Sequence, residues 1–179
     1  MWETTGELAA LQSLLDTSIE RASEHLKSIM SAERRLSAGQ LVAALPSPAV
    51  LNIATVTARG EPRVSAVDGH FLHGHWYFTT AGNSPKALQL AARPAISASY
   101  TPRDGFGAFW HGRAQLLPPG PERQSIIEHC TKTYGQSPEE WGTGIAYLRV
   151  DATWLAAFAM PEEEMARIEA ERAARQAAG

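Results

Sequence analysis

At 179 residues the chain is long enough for one domain with modest additions and a substantial buried core. Its 44% hydrophobic and 20% charged residues are ordinary for a soluble globular protein, and a net charge of −3 leaves no basic surplus for binding nucleic acid. A single cysteine, Cys130, excludes an internal disulfide framework, and no leader-like N-terminus or apolar membrane span is evident, so a cytoplasmic protein without membrane contact is expected.

The first element predicted is one long amphipathic helix from Thr4 to Met30. Leu8, Leu11, Leu15, Ile19, Ala22, Leu26 and Ile29 recur at three- and four-residue steps, and Thr4-x-x-Glu7 forms a capping-box pattern. That stripe must lie against the main domain or a second subunit. Ser37-x-x-Gln40 opens a shorter helix through Leu45, which Pro46 and Pro48 end.

From Val50 the period changes to that of strands. Val50 to Thr57, Arg63 to Val67 and Trp76 to Thr80 read as three strands of an antiparallel meander, with Asp68 to His75 as a turn region. A helix follows at Pro85 to Ala92, then strands at Ala95 to Tyr100 and Gly107 to Leu117. Pro121 to Tyr134 is a helix, Ser137 to Glu140 a short helical turn, and Ile145 to Val150 and Thr153 to Phe158 closing strands. Pro161 begins a last helix with acids first and arginines later, expected as an exposed, weakly anchored tail. Six or more strands with an inserted helix suggest a barrel, which removes exposed edges. The expected organisation is an N-terminal helical extension over 1–48, a barrel domain over 49–159 and a helical tail over 160–179.

The turn between the third strand and its helix carries chemistry. Ser84 stands at an N-cap position, Pro85 at the first helical position and Lys86 in the first turn. Open backbone N–H groups, the helix dipole, one ammonium and the hydroxyls of Thr79, Thr80 and Ser84 make a seat for a phosphate. Two other groups compete for attention. Asp68, His70, His73 and His75 carry metal-ligand chemistry, but an exposed hairpin tip explains the same residues, and no metal site is expected. His111 follows Phe109 and Trp110 on the fifth strand, where alternation sets Phe109, His111 and Arg113 on one face. It reads either as a contact to a bound ligand or as a packed histidine. Trp141, Tyr147 and Trp154 are aromatics able to wall a planar ligand or to fill a core. Cys130 is most simply a small hydrophobe.

Three segments, LNIATVTARGEPRVSAV, WYFTTAGNSPKALQLAARPAISASY and AFWHGRAQLL, resemble the pyridoxamine-5′-phosphate-oxidase-like family of flavin-binding split barrels. The resemblance spans roughly Leu51 to Leu117. It implies a mainly β fold with helical additions, a six-stranded antiparallel split β-barrel that forms a homodimer with cofactor sites at the interface. It implies further that Arg63, Val64 and Ser65 lie along FMN, with Thr79, Thr80, Ser84 and Lys86 on its phosphate and His111 near its ring. Deazaflavin and haem are the alternative cofactors known in such barrels. The implied activity is an oxidoreductase acting on a small-molecule substrate. Pyridoxamine phosphate itself is disfavoured, since Ala66-Val67-Asp68 replaces a lysine of the oxidase and the chain ends in AARQAAG without its substrate-binding arginine motif.

Overall fold

The structure, a computed structural model, describes residues 2–177. Six strands form a closed barrel in the order β1-β2-β3-β6-β5-β4, every neighbouring pair antiparallel. They are β1 (Ala49–Val56), β2 (Pro62–Leu72), β3 (His75–Ala81), β4 (Ala95–Tyr100), β5 (Phe106–Leu116) and β6 (Ile145–Ala159). Helices flank them: α1 (Thr5–Glu20), α2 (Glu24–Ile29), α3 (Ala38–Ala44), α4 (Pro85–Ala92), α5 (Pro121–Tyr134) and α6 (Glu162–Ala177), with a 3-10 turn at Pro138–Trp141. The expected six-stranded antiparallel barrel with helical additions is thus observed. No helix among the described residues is long and apolar enough to cross a membrane.

The barrel interior is filled by alternate residues of each strand. Leu51 and Ile53 of β1, Trp76 and Phe78 of β3, Ile96 and Ala98 of β4 and Trp110 of β5 share one buried cluster. A second cluster lies outside the barrel, where α5 sets Ile126 and Cys130 against Leu72, Tyr77 and Tyr147. Burial pushes the Cys130 thiol up to about 11, so it is an inert core residue.

The single N-terminal helix expected from the apolar spacing is instead two. α1 ends at Glu20, and Ser23 caps α2 by accepting from the Leu26 N–H. The spacing of apolar residues runs on through Ala22 and Leu26, so periodicity could not reveal the break; a serine able to cap could. The stripe's partner is the chain itself. Leu11 and Leu15 of α1 join the barrel core together with Leu41 of α3, and the Leu155 N–H of β6 donates to buried Ser18 at 2.9 Å.

Two strand boundaries also differ from expectation. β2 runs on through Asp68 to Leu72, and the turn shrinks to His73-Gly74, both at positive φ (54° and 79°). β6 is one 15-residue strand rather than two, because Thr153 is accommodated as a bulge opposite the His111–Gly112 step. The C-terminal helix α6 is exposed as expected, with no residue buried. It is nonetheless tied down by an Arg34–Glu164 ion pair and an Arg172–Asp104 pair at 2.6 Å.

Candidate functional site

The barrel is split beside the head of α4. β2 and β3 pair only over Gly69–Leu72 and His75–Phe78. Beyond that point β3 stays with β6 as far as Ala81–Ile145, while β2 stays with β1 as far as Pro62–Val56. The N-terminal half of β2 and the last residues of β3 therefore have no ladder between them. α4 follows β3 directly and lies against β1. Thr55 Oγ1 donates to Gln89 Oε1 at 2.5 Å, Arg93 Nε donates to the Val56 carbonyl at 3.0 Å, and Ala87 and Leu90 are buried.

At the head of α4 the local sequence determines the geometry. Ser84 adopts extended backbone, its hydroxyl accepts from the Ala87 N–H at 3.3 Å, and it lies 3.2 Å from Thr80 Oγ1. Pro85 has no N–H, and Leu88 N–H is bonded to the Ser84 carbonyl, so the open donor of the first turn is the N–H of Lys86. The seat is therefore narrower in backbone donors than the sequence suggests. The groups there that could hold a phosphate are the Thr80 and Ser84 hydroxyls, the Lys86 N–H and side chain and the helix dipole.

Arg63 stands opposite Thr55, which bonds to α4 at Gln89, one helical turn beyond Lys86. Arg63 and Lys86 thus belong to the same end of the split. Ser65, opposite Ile53, is on the same face of β2 as Arg63. The Arg63 guanidinium is already engaged, donating to Glu61 Oε2 at 2.8 Å and to the Pro62 carbonyl at 3.0 Å. Gln89, absent from the sequence-based site, is signalled only by its place three residues after Lys86.

The other predicted site residues lie elsewhere. Thr79 alternates with Thr80 and shares the face of Tyr77, opposite Tyr147, toward the α5 cluster. Val64 and His111 are on the outer wall of the barrel, in one transverse row that reads Val64, Ala54, Ser97, His111, Trp154 across five strands. Ser97 Oγ is 2.8 Å from His111 Nδ1, and the imidazole stacks on Trp154 with 4.7 Å between centroids and 27° between planes. Burial holds the His111 pKa below its usual value, which favours a neutral ring. Val64 is 74% and Val50 65% exposed on this same wall, so it is apolar as well as open.

The histidines near the β2–β3 turn do not converge. His70 turns under α5 to His129 and Tyr134, His73 meets Glu7 of α1, and His75 meets Asp151 of β6. No group of three or more metal-ligating side chains exists among the described residues. The three aromatics weighed as a ligand wall are likewise apart. Trp154 is on His111, Tyr147 is beneath Arg123, and Trp141 is edge-on to Tyr134.

No family model matches this sequence, and no curated protein is matched by it. Solved structures do share the fold. A conserved hypothetical protein from Mycobacterium tuberculosis aligns with TM-score 0.61 at 17% identity, over 74% of this chain and 93% of that one. A candidate pyridoxamine 5′-phosphate oxidase from Listeria innocua gives 0.58 at 14%, over 66% and 95%. An FAD-binding protein from Mesorhizobium loti gives 0.57 at 18%, over 72% and 97%. An F420 reductase (0.51 at 19%, over 63% and 93%) and the haem storage protein of Vibrio cholerae (0.56 at 15%, over 67% and 93%) have the same barrel. At these identities the likeness is one of fold, and the fold is the split β-barrel found in flavin-, F420- and haem-associated proteins.

Proposed function

We propose that this chain is a flavin-dependent oxidoreductase of the pyridoxamine-5′-phosphate-oxidase-like family, binding FMN at the interface of a cytoplasmic homodimer. The observation that carries the reading is the head of α4 beside the β2–β3 split, where the Thr80 and Ser84 hydroxyls adjoin the first helical turn that carries Lys86. Its donor set fits one terminal phosphate: two hydroxyls, one backbone N–H, one ammonium and a helix dipole. Arg63 adds a second cation from across the split once it leaves Glu61. Bound flavin would supply the hydride chemistry, and the protein's part is binding and orientation. The substrate is an unidentified small molecule. Ala66-Val67-Asp68 stands where the vitamin-synthesising oxidase has a lysine, which argues against pyridoxamine phosphate.

Support for the dimer comes from the outer wall rather than from α1, whose apolar stripe is taken up within the chain. Exposed Val50 and Val64, with Ala54 and Ala66 beside them, form an apolar surface of the kind that a second subunit covers.

A second reading has its own observation. His111 is exposed, with Nδ1 held by Ser97, which leaves Nε2 open as a ligand for haem iron. Titrating the apo protein with FMN, deazaflavin F420 and haem under identical salt, followed by absorption, distinguishes them. Saturable FMN binding is expected. Tight binding of F420 or haem with no measurable FMN binding would overturn the FMN reading.

A further inference from the structure

A large cleft adjoins α4, and none of the eight expected site residues lines it. It measures about 670 Å³ and lies between α4, the end of β5, the first turn of α5 and the loop that leads into β6. That volume is within the range of small-ligand pockets, roughly 300–1,000 Å³. Its walls are apolar where Leu88 and Leu116 are each 59% exposed to solvent, and Pro118 and Ile145 extend the same surface.

Two polar side chains, Tyr147 and Arg123, also line the cleft. Tyr147 lines the cleft at 1% exposure, and its buried hydroxyl has no hydrogen-bond partner among the described residues. A buried phenol without a partner is costly, and native proteins leave few such groups. Arg123 covers the ring of Tyr147, with its guanidinium carbon 4.5 Å from the centroid, and reaches Glu139 at 3.2 Å. Glu139 also lines the cleft and is the more exposed partner of that pair. A cation beside an apolar wall, held by an exchangeable surface carboxylate, is an arrangement for admitting another anion in place of Glu139.

We infer that this cleft binds a small organic anion, a carboxylate or sulfonate on an apolar body, with Arg123 taking the charged group and Leu88, Leu116 and Pro118 taking the body. The inference does not rest on the cofactor assignment, and its test needs no cofactor.

The test is a fluorescence titration of the full chain with 8-anilinonaphthalene-1-sulfonate, an aromatic sulfonate, at neutral pH and low salt without added flavin. One saturable site per chain is expected. Arg123→Met should weaken binding about tenfold, the scale of one charged hydrogen bond. Glu139→Gln should strengthen it, because the competing carboxylate is gone while the cation remains. Opposite signs at two paired residues distinguish a site from general loosening of the fold, and far-UV circular dichroism checks that both variants are folded. Absence of saturable binding to the parent, or equal affinity in parent and both variants, would overturn the inference. Should Arg123→Met fail to fold, Glu139→Gln decides alone, since Glu139 is mostly solvent-exposed.

Discussion

His70 Nδ1 and His129 Nε2 face each other at 3.1 Å beneath α5, with the Tyr134 hydroxyl 2.9 Å from the other nitrogen of His70. His70 is 2% exposed. Burial, then the neighbouring His129, pushes its pKa down to about 4, and Asp68 offsets this only in part. The His129 pKa is lowered too, by burial and by Lys132.

A depressed histidine pKa means that the unfolded chain takes up protons that the folded chain refuses. Stability is therefore full above pH about 6.5 and falls as pH drops toward about 4. The thermal midpoint should decline across that window, and His70→Gln should flatten the decline whatever it does to the midpoint itself. A midpoint for the parent that does not change between pH 7 and pH 4 would refute this account.

Ser18 joins α1 to the barrel. Its hydroxyl donates to the Leu14 carbonyl at 2.6 Å and accepts the Leu155 N–H at 2.9 Å, and it is 2% exposed. Ser18→Ala leaves a buried strand N–H without a partner, which costs about 1–3 kcal/mol. Urea unfolding of the two proteins measures it, and an unchanged midpoint would mean that water or a shift of α1 replaces the bond.

Much of the fold was legible where the signals are local. Pro85 and Arg93-Pro94 bound α4, and Pro121 and Gly135 bound α5, so both helices have the ends expected of them. The cap at Ser84 is equally local, which is why the head of α4 could be described from sequence. What escaped depends on distant partners. The β6 bulge at Thr153 exists because β5 must pair on both sides of it, and His70 meets His129 across 59 residues of chain. The separation of Thr79 from Thr80 follows from strand alternation, yet which face meets the split becomes known only from the pairing of β3 with β6. Arg63's engagement with Glu61 is a choice of rotamer that no pattern announces.

Gly112 sits at that bulge. A methyl group added there would lie 2.0 Å from the Asp151 carbonyl oxygen and 2.8 Å from the Ala152 Cα, both backbone atoms. Gly112→Ala should therefore destabilise the protein by about 1–3 kcal/mol, as overpacking does. The shift should also disturb the neighbouring His111–Trp154 stack, visible as a change in tryptophan fluorescence. Retention of both the parent's stability and its emission would show that the ladder can part there at no cost.

The proposed homodimer rests on the outer wall, so a charge placed there should prevent it. Val64→Asp puts a carboxylate at the end of the row that includes Ala54 and His111, at a side chain whose 74% exposure leaves the monomer fold undisturbed. Light scattering should give twice 19.4 kDa for the parent and one chain mass for the variant. A parent mass near one chain over a wide concentration range would remove the dimer from the proposed function.

The proposed phosphate seat makes a two-sided prediction about affinity. Lys86→Ala removes the ammonium at the head of α4 and should weaken FMN binding by about 1–3 kcal/mol, while the hydroxyls and the Lys86 backbone N–H keep some occupancy. Glu61→Gln acts in the opposite direction. Glu61 holds the Arg63 guanidinium at 2.8 Å, and both side chains are about half exposed, so the pair itself adds little to stability. Freed from it, Arg63 can turn toward a phosphate beside Thr80 and Ser84, and the apparent affinity should rise. Because Glu61 also accepts no backbone bond that holds β2 to β1 through its side chain, the ladder from Thr55–Arg63 to Val56–Pro62 should survive the change. Isothermal titration of parent and both variants with FMN at matched salt reads the two effects together. If Lys86→Ala binds as tightly as the parent, the phosphate lies elsewhere; if Glu61→Gln also leaves affinity unchanged, Arg63 takes no part in holding it.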